Sequence, residues 1–239
     1  MDSINKQQRR NINTQTRRVI SSSILALYSL FALPILSYAN LDSPKVIAIT
    51  EIVAHPSLEQ AKLGIIDSLK NAGYKPGINL KIIEQNAQGN ISNASLIAKN
   101  FVALKPDAIV AISTPSAQSI VRAIRGTDIP LVISSVTDPV SAGIVTTIES
   151  PTMNITGSID TPLIPEEIEL IKQMVPGIKT LGLLYSSGED NSAKTIELIK
   201  SYLNGKMEIR EAIAMNSNQV SGAIASLVGK VDAVYIPSG

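Results

Sequence analysis

The chain has no cysteine, no tryptophan and a single histidine. Without cysteine there is no disulfide, no thiolate nucleophile, no Cys-based metal site and no lipid anchor on a mature N-terminal cysteine. A lone histidine rules out the common His-pair metal spacings, and no second His or Cys completes a nucleophilic set around it. Aromatic residues make up only 3% of the chain, so any core must be built from Ile, Leu, Val and Ala. Glycine-rich phosphate loops, Gly-x-Ser-x-Gly elbows and dinucleotide fingerprints are also missing. No cofactor and no metal are expected.

What is present is aliphatic and patterned. The hydrophobic fraction is 44% against 17% charged, the balance of a globular chain. Its length suits one large α/β domain or two small ones. The net charge of +1 is misleading, because Lys6, Arg9, Arg10, Arg17 and Arg18 cluster at the start with Asp2 as their only acid. The remainder is slightly acidic, which argues against nucleic acid as a partner.

The first 39 residues read as a secretory leader: a basic segment, an apolar run from Val19 to Leu36, and Ser37-Tyr38-Ala39 with small residues at both recognition positions. Cleavage is expected near Ala39. Pro34 breaks the apolar run near its end, which favours cleavage over a retained anchor. An exported, periplasmic protein without a lipid anchor follows from this reading.

From Lys45 onward, strand-length apolar runs alternate with helical periodicity. Strands are expected at 45–50, 79–84, 107–112, 129–133, 180–185, 207–214 and 231–236, with a weaker one at 154–159. Helices are expected at 57–72, 90–104, 115–124, 165–174, 190–203 and 218–228. Ser57 and Gln60 suggest a capping box for the first helix. Continuous apolar strands alternating with helices indicate parallel sheets covered on both faces. Right-handed crossovers place all strand-to-helix loops at one edge, where ligands of such sheets bind. The fold class is therefore α/β with Rossmann-like parallel sheets. Thr161-Pro-Leu-Ile-Pro165 reads as a linker, dividing a first unit at 40–160 from a second at 161–239.

The candidate functional residues lie at those strand ends. His55 and Pro56 precede a helix, whose free N–H groups attract anions; a structural histidine is the bland alternative. Ser113-Thr114-Pro115-Ser116 can hold a carboxylate or simply cap a helix. Thr137 and Asp138 follow the fourth strand, and Asp138 can receive an amine or form an Asx-turn. Asp160 offers a second carboxylate. Tyr185 and Asn191 flank the loop opening the penultimate helix-to-strand unit.

Six stretches carry a family resemblance: Ile49-Thr-Glu-Ile-Val-Ala-His-Pro-Ser-Leu58, Ala111-Ile-Ser-Thr-Pro-Ser-Ala-Gln118, Val136-Thr-Asp-Pro-Val-Ser-Ala-Gly143, Asn154-Ile-Thr-Gly-Ser-Ile-Asp160, Leu184-Tyr-Ser-Ser-Gly-Glu-Asp-Asn-Ser192 and Asp232-Ala-Val-Tyr-Ile-Pro-Ser238. In this order they resemble the substrate-binding proteins of ABC importers, tryptophan/tyrosine type, with the type I periplasmic-binding-protein fold. The resemblance implies two hinged lobes closing on an amino acid, aromatic ones included, or a similar small organic solute. It implies an ABC permease in the inner membrane as partner, and no catalysis. Carried over by position, the cleft would be lined around His55, Pro56, Thr114, Thr137, Asp138, Asp160, Tyr185, Asn191 and Ser238. Members of this family continue past the position of Ser238, so the second lobe is expected to be incomplete at Gly239. Gly188 stands where a larger residue is expected. Two other readings are an exported α/β enzyme using Asp138 and Asp160 as an acid–base pair, and a binding module that senses rather than transports.

Overall fold

The computed structural model describes residues 43–149 and 154–237. The leader at Met1 to Ala39 and the candidate residue Ser238 lie outside the described residues.

The described chain alternates eight strands with six helices. The first part runs β1 (Lys45–Glu51), α1 (Pro56–Asn71), β2 (Leu80–Asn86), α2 (Ile91–Leu104), β3 (Ala108–Ile112), α3 (Thr114–Ile124), β4 (Leu131–Val136) and β5 (Ile155–Ile159). The second runs α4 (Ile164–Met174), β6 (Thr180–Tyr185), α5 (Asp190–Leu203), β7 (Glu208–Ile213), α6 (Ser217–Leu227) and β8 (Ala233–Tyr235). The strands form two sheets, ordered β2-β1-β3-β4-β5 and β7-β6-β8, and every pairing is parallel.

Side-chain alternation along the central strands explains why both faces need cover. Ala48, Ile109, Ala111, Leu131 and Ile133 pack with Ala94, Ile97 and Phe101 of α2 and with Ala117, Ile120 and Ile124 of α3. The intervening Ile49, Val110 and Ile112 face Leu58, Ala61, Ile65 and Ile66 of α1. In the second sheet, Leu181 and Leu183 pack with Ile168 of α4 and Ile196 and Ile199 of α5. Leu184 and Ala212 face Leu227 and Ile224 of α6.

Strands β1 and β6 begin with the same device. Asp107, just before β3, accepts the Val46 N–H at 2.8 Å and the Lys45 ammonium at 3.0 Å. Asp232, just before β8, accepts the Lys179 and Thr180 N–H groups at 2.8 Å each. Each aspartate satisfies backbone donors at the start of the strand its own strand pairs with.

Several boundaries differ from the sequence expectation for physical reasons. The first helix is not capped by a Ser57–Gln60 box. His55 is the N-cap, its Nδ1 accepting the Ser57 N–H at 3.3 Å, with Pro56 in the first helical position. Strand β4 runs on to Val136, with a register shift between Ile133 and Val136, and Ser135 in the left-handed region at φ 54°. The weak signal at 154–159 is a true edge strand. Its Gly157 has φ 151°, and an added Cβ would collide with the Ile133 backbone, so only glycine fits there.

Candidate functional site

Loops from the C-terminal edges of both sheets meet around a cavity of about 310 Å³. That is the low end of the roughly 300–1,000 Å³ typical of small-molecule sites. Each contributor sits just past a strand. His55, Ser57 and Leu58 follow β1; Ser113 and Thr114 follow β3. Ser135 and Thr137 come from the end of β4, and Asp160 follows β5. From the second sheet come Asn191, in the first turn of α5, and Ile236 and Pro237 after β8.

The floor is built at the start of α3. Ser113 adopts φ 88°, uncommon for a residue with a Cβ, and thereby turns the chain sharply from β3 into the helix. Thr114 follows at 2% exposure, and its Oγ1 has no hydrogen-bond partner among the described residues. A buried hydroxyl without a partner carries an energetic penalty, which a ligand atom can relieve. It stands beside the unsatisfied N–H groups of the first turn, whose dipole favours negative charge. This corner suits a carboxylate.

Across the cavity, Asp160 supplies a carboxylate on an exposed loop, its N–H fixed to the Val136 carbonyl at 2.8 Å. The apolar part of the wall is Leu58, Ile236 and Pro237. No group of three or more His, Asp or Glu side chains among the described residues is arranged to hold a metal ion.

Of the nine residues expected at the cleft, five line this cavity: His55, Thr114, Thr137, Asp160 and Asn191. Pro56 does not line it; it opens α1 behind His55. Asp138 is engaged by its own loop, accepting the Val140 and Ser141 N–H groups at 3.0 Å each. Burial works against its ionisation, but the Ser141 contacts, the Val140 N–H and the Lys194 charge outweigh it and hold the carboxyl below its usual value. Of the two roles open to Asp138, the structure shows the Asx-type turn. Tyr185 points elsewhere as well: its hydroxyl donates to Glu211 at 2.7 Å, and that bond, with burial, raises its pKa. Gly188 leaves room for the end of Met215, whose sulfur accepts the Ser187 hydroxyl at 3.2 Å. Ser113, from the Ser113–Ser116 segment, lines it too, and so do Ser57, Leu58, Ser135, Ile236 and Pro237, which the sequence did not mark as ligand contacts. Their shared signal is position, since each lies at a strand's C-terminal end or in the loop and first helical turn that follow it.

A side-chain contact joins α3 to α5. The Gln118 side chain on α3 donates to the Ala142 carbonyl at 2.9 Å and to Asp190 Oδ2, in the first turn of α5, at 2.6 Å.

Two parallel sheets presenting polar loops to a shared cavity define an α/β protein of the type I periplasmic-binding-protein class. Residues 46–239 match the family of ABC transporter substrate binding proteins, and the chain belongs to that family. It is 42% identical over 195 residues to a tyrosine-binding protein of Clostridioides difficile (strain R20291), covering 81% of this chain and 56% of that one. Among solved structures, it resembles a conserved domain protein from Vibrio cholerae (38% identity, TM-score 0.78, 81% of this chain and 65% of that one). It also resembles an ABC domain from Streptococcus pneumonia in complex with L-Trp (34%, 0.77, 82% and 65%). The ligand-free, open structure of a substrate binding protein with adhesive properties from Clostridium difficile superposes less well, at TM-score 0.59, despite 39% identity (81% of this chain and 65% of that one). The chain thus spans about half to two thirds of the length of these relatives.

Proposed function

We propose that this chain is the solute-binding component of an ABC importer and holds a free amino acid, aromatic ones included, in the cavity between its two sheets. The observation that carries the reading is the buried, unpartnered Thr114 hydroxyl at the N-terminus of α3, opening on a cavity walled by loops of both sheets. The ligand's α-carboxylate lies against Thr114 and the first-turn amides, and its ammonium faces Asp160. The first unit spans 40–160 and the second 161–239, a division supported by the membership of the two sheets. Residues 1–39 are the cleaved export signal, the protein works in the periplasm, and an inner-membrane ABC permease is its partner. Catalysis has no role in this reading, since Asp138, the proposed acid–base partner of Asp160, already serves its own turn.

The closer fit to the L-Trp complex than to the open relative supports an arrangement near the closed one. The test is thermal unfolding of the purified protein with and without L-tyrosine and L-tryptophan. A ligand that binds only the folded state raises the midpoint in a concentration-dependent way. A folded sample with no shift for any of the common amino acids refutes the proposal.

A further inference from the structure

Met215 stands in the loop between β7 and α6, and its side chain lies on the loop between β6 and α5 that leads to Asn191 in the cavity wall. Its backbone is fixed on both sides. The Ala214 N–H donates to the Tyr185 carbonyl at 3.0 Å, and the Met215 N–H donates to Gln219 Oε1 at 2.8 Å. From that anchor the Met215 sulfur accepts the Ser187 hydroxyl at 3.2 Å. Its methyl end lies over Gly188, where a Cβ would stand only 2.9 Å away, so the missing side chain is what lets the thioether in. The turn beneath is closed by a long bond, from the Glu189 N–H to the Ser186 carbonyl at 3.4 Å. Met215 is 53% exposed, within reach of an oxidant in solvent. Met207 is buried in the core of the second sheet. Met174 is exposed but ends α4 and lines no part of the cavity.

We propose that Met215 is an oxidation site, and that its sulfoxide displaces the loop carrying Asn191 and weakens ligand binding. The effect on binding rests on the amino-acid reading above; the modification does not. The step is a two-electron oxidation by a peroxide. The sulfur lone pair attacks one peroxide oxygen, and the S–O bond forms as the O–O bond breaks. The departing hydroxide takes the proton from the transferred oxygen and leaves as water. A thioether sulfur is a weak acceptor, whereas a sulfoxide is polar and accepts strongly through oxygen. An oxygen added towards Ser187 does not fit inside a 3.2 Å contact, so the hydroxyl and its loop must move.

The test compares wild type with Met215→Leu, each before and after hydrogen peroxide, so that sulfoxides elsewhere cancel. Peptide mass spectrometry is expected to find one added oxygen on Met215. Calorimetric titration with L-tyrosine is expected to show about fivefold weaker binding in treated wild type, but not in treated Met215→Leu. Treatment with methionine sulfoxide reductases restores it. Met215→Gln, polar without any oxidant, is expected to bind more weakly than untreated wild type. No sulfoxide at Met215 under conditions that oxidise Met174, an equal loss in wild type and Met215→Leu, or full affinity in Met215→Gln overturns the proposal and leaves the amino-acid reading intact. If untreated wild type binds no amino acid, that reading fails, and backbone hydrogen exchange over 186–191 decides the proposal. Faster exchange in treated wild type than in treated Met215→Leu supports it, and equal exchange overturns it.

Discussion

The closure proposed above, of two units over a ligand, should be sensitive to one hydrogen bond. Gln118 reaches from α3 to Asp190 on α5 at 2.6 Å, and Asp190→Ala removes that bond while leaving the Gln118–Ala142 bond within the first unit. A hydrogen bond to a carboxylate contributes about 1.5–3 kcal/mol when sheltered. This one is exposed, and solvent screening reduces it to about 1 kcal/mol. That amounts to roughly a fivefold change in the balance between closed and open arrangements. On the proposed closure the bond forms only with the units together, so L-tyrosine affinity should weaken by about the same factor. Asp190→Asn keeps an acceptor and should lose less. Asp190 also sits in the first turn of α5, where its charge favours the helix by about 0.3–1 kcal/mol. A double-mutant cycle with Gln118→Ala separates that contribution from the pair. The assay is calorimetric titration of the wild type, both single variants and the double variant. A coupling energy of zero, with Asp190→Ala binding as tightly as the wild type, would refute the reasoning.

Other consequences follow from single groups. Thr114→Val keeps the shape but removes a hydroxyl that has no partner, so stability to urea should hold or rise while L-tyrosine affinity falls about tenfold; unchanged affinity would place the ligand elsewhere. Gly157→Ala puts a Cβ into the Ile133 backbone at a φ only glycine tolerates, and should cost about 3 kcal/mol or more in urea unfolding. A loss below about 1 kcal/mol would mean β5 is not held as described. Asp107 is held below its usual pKa by the Val46 N–H and then Lys45, and Asp232 by the Lys179 and Thr180 N–H groups. Because these pKa values are depressed by folding, their stabilisation is complete at neutral pH and disappears as pH falls through the carboxylate range, below about pH 4. The urea midpoint should therefore drop on acidification, and less steeply in the Asp107→Asn/Asp232→Asn double variant; identical slopes would contradict this.

The alternation of apolar runs and helical periods made the parallel α/β architecture legible, because continuous strands such as Ala108–Ile112 have few other uses. The weaker expectations had local causes. Strand β5 is an edge whose residues beyond Ile155 are exposed, so its pattern carries little hydrophobic signal. Ser113 and Ser135 take positive φ that serine's own preferences do not announce; the bulge and the strand-to-helix turn impose it. Strand ends and the family resemblance together pointed to this cavity, and five of the nine residues expected from the resemblance line it. Neither could say which way a side chain points. Glu211 draws Tyr185 aside, and the Val140 and Ser141 amides take up Asp138, through contacts set by tertiary pairing rather than by neighbouring sequence.

The central claim is that the N-terminus of α3 receives a ligand carboxylate. Calorimetric titration with L-tyrosine and with tyramine, which keeps the phenol and the amine but lacks the carboxylate, tests it most directly. The account predicts saturable binding of L-tyrosine and binding of tyramine weaker by about a hundredfold or more. Tyramine binding as tightly as L-tyrosine would contradict it.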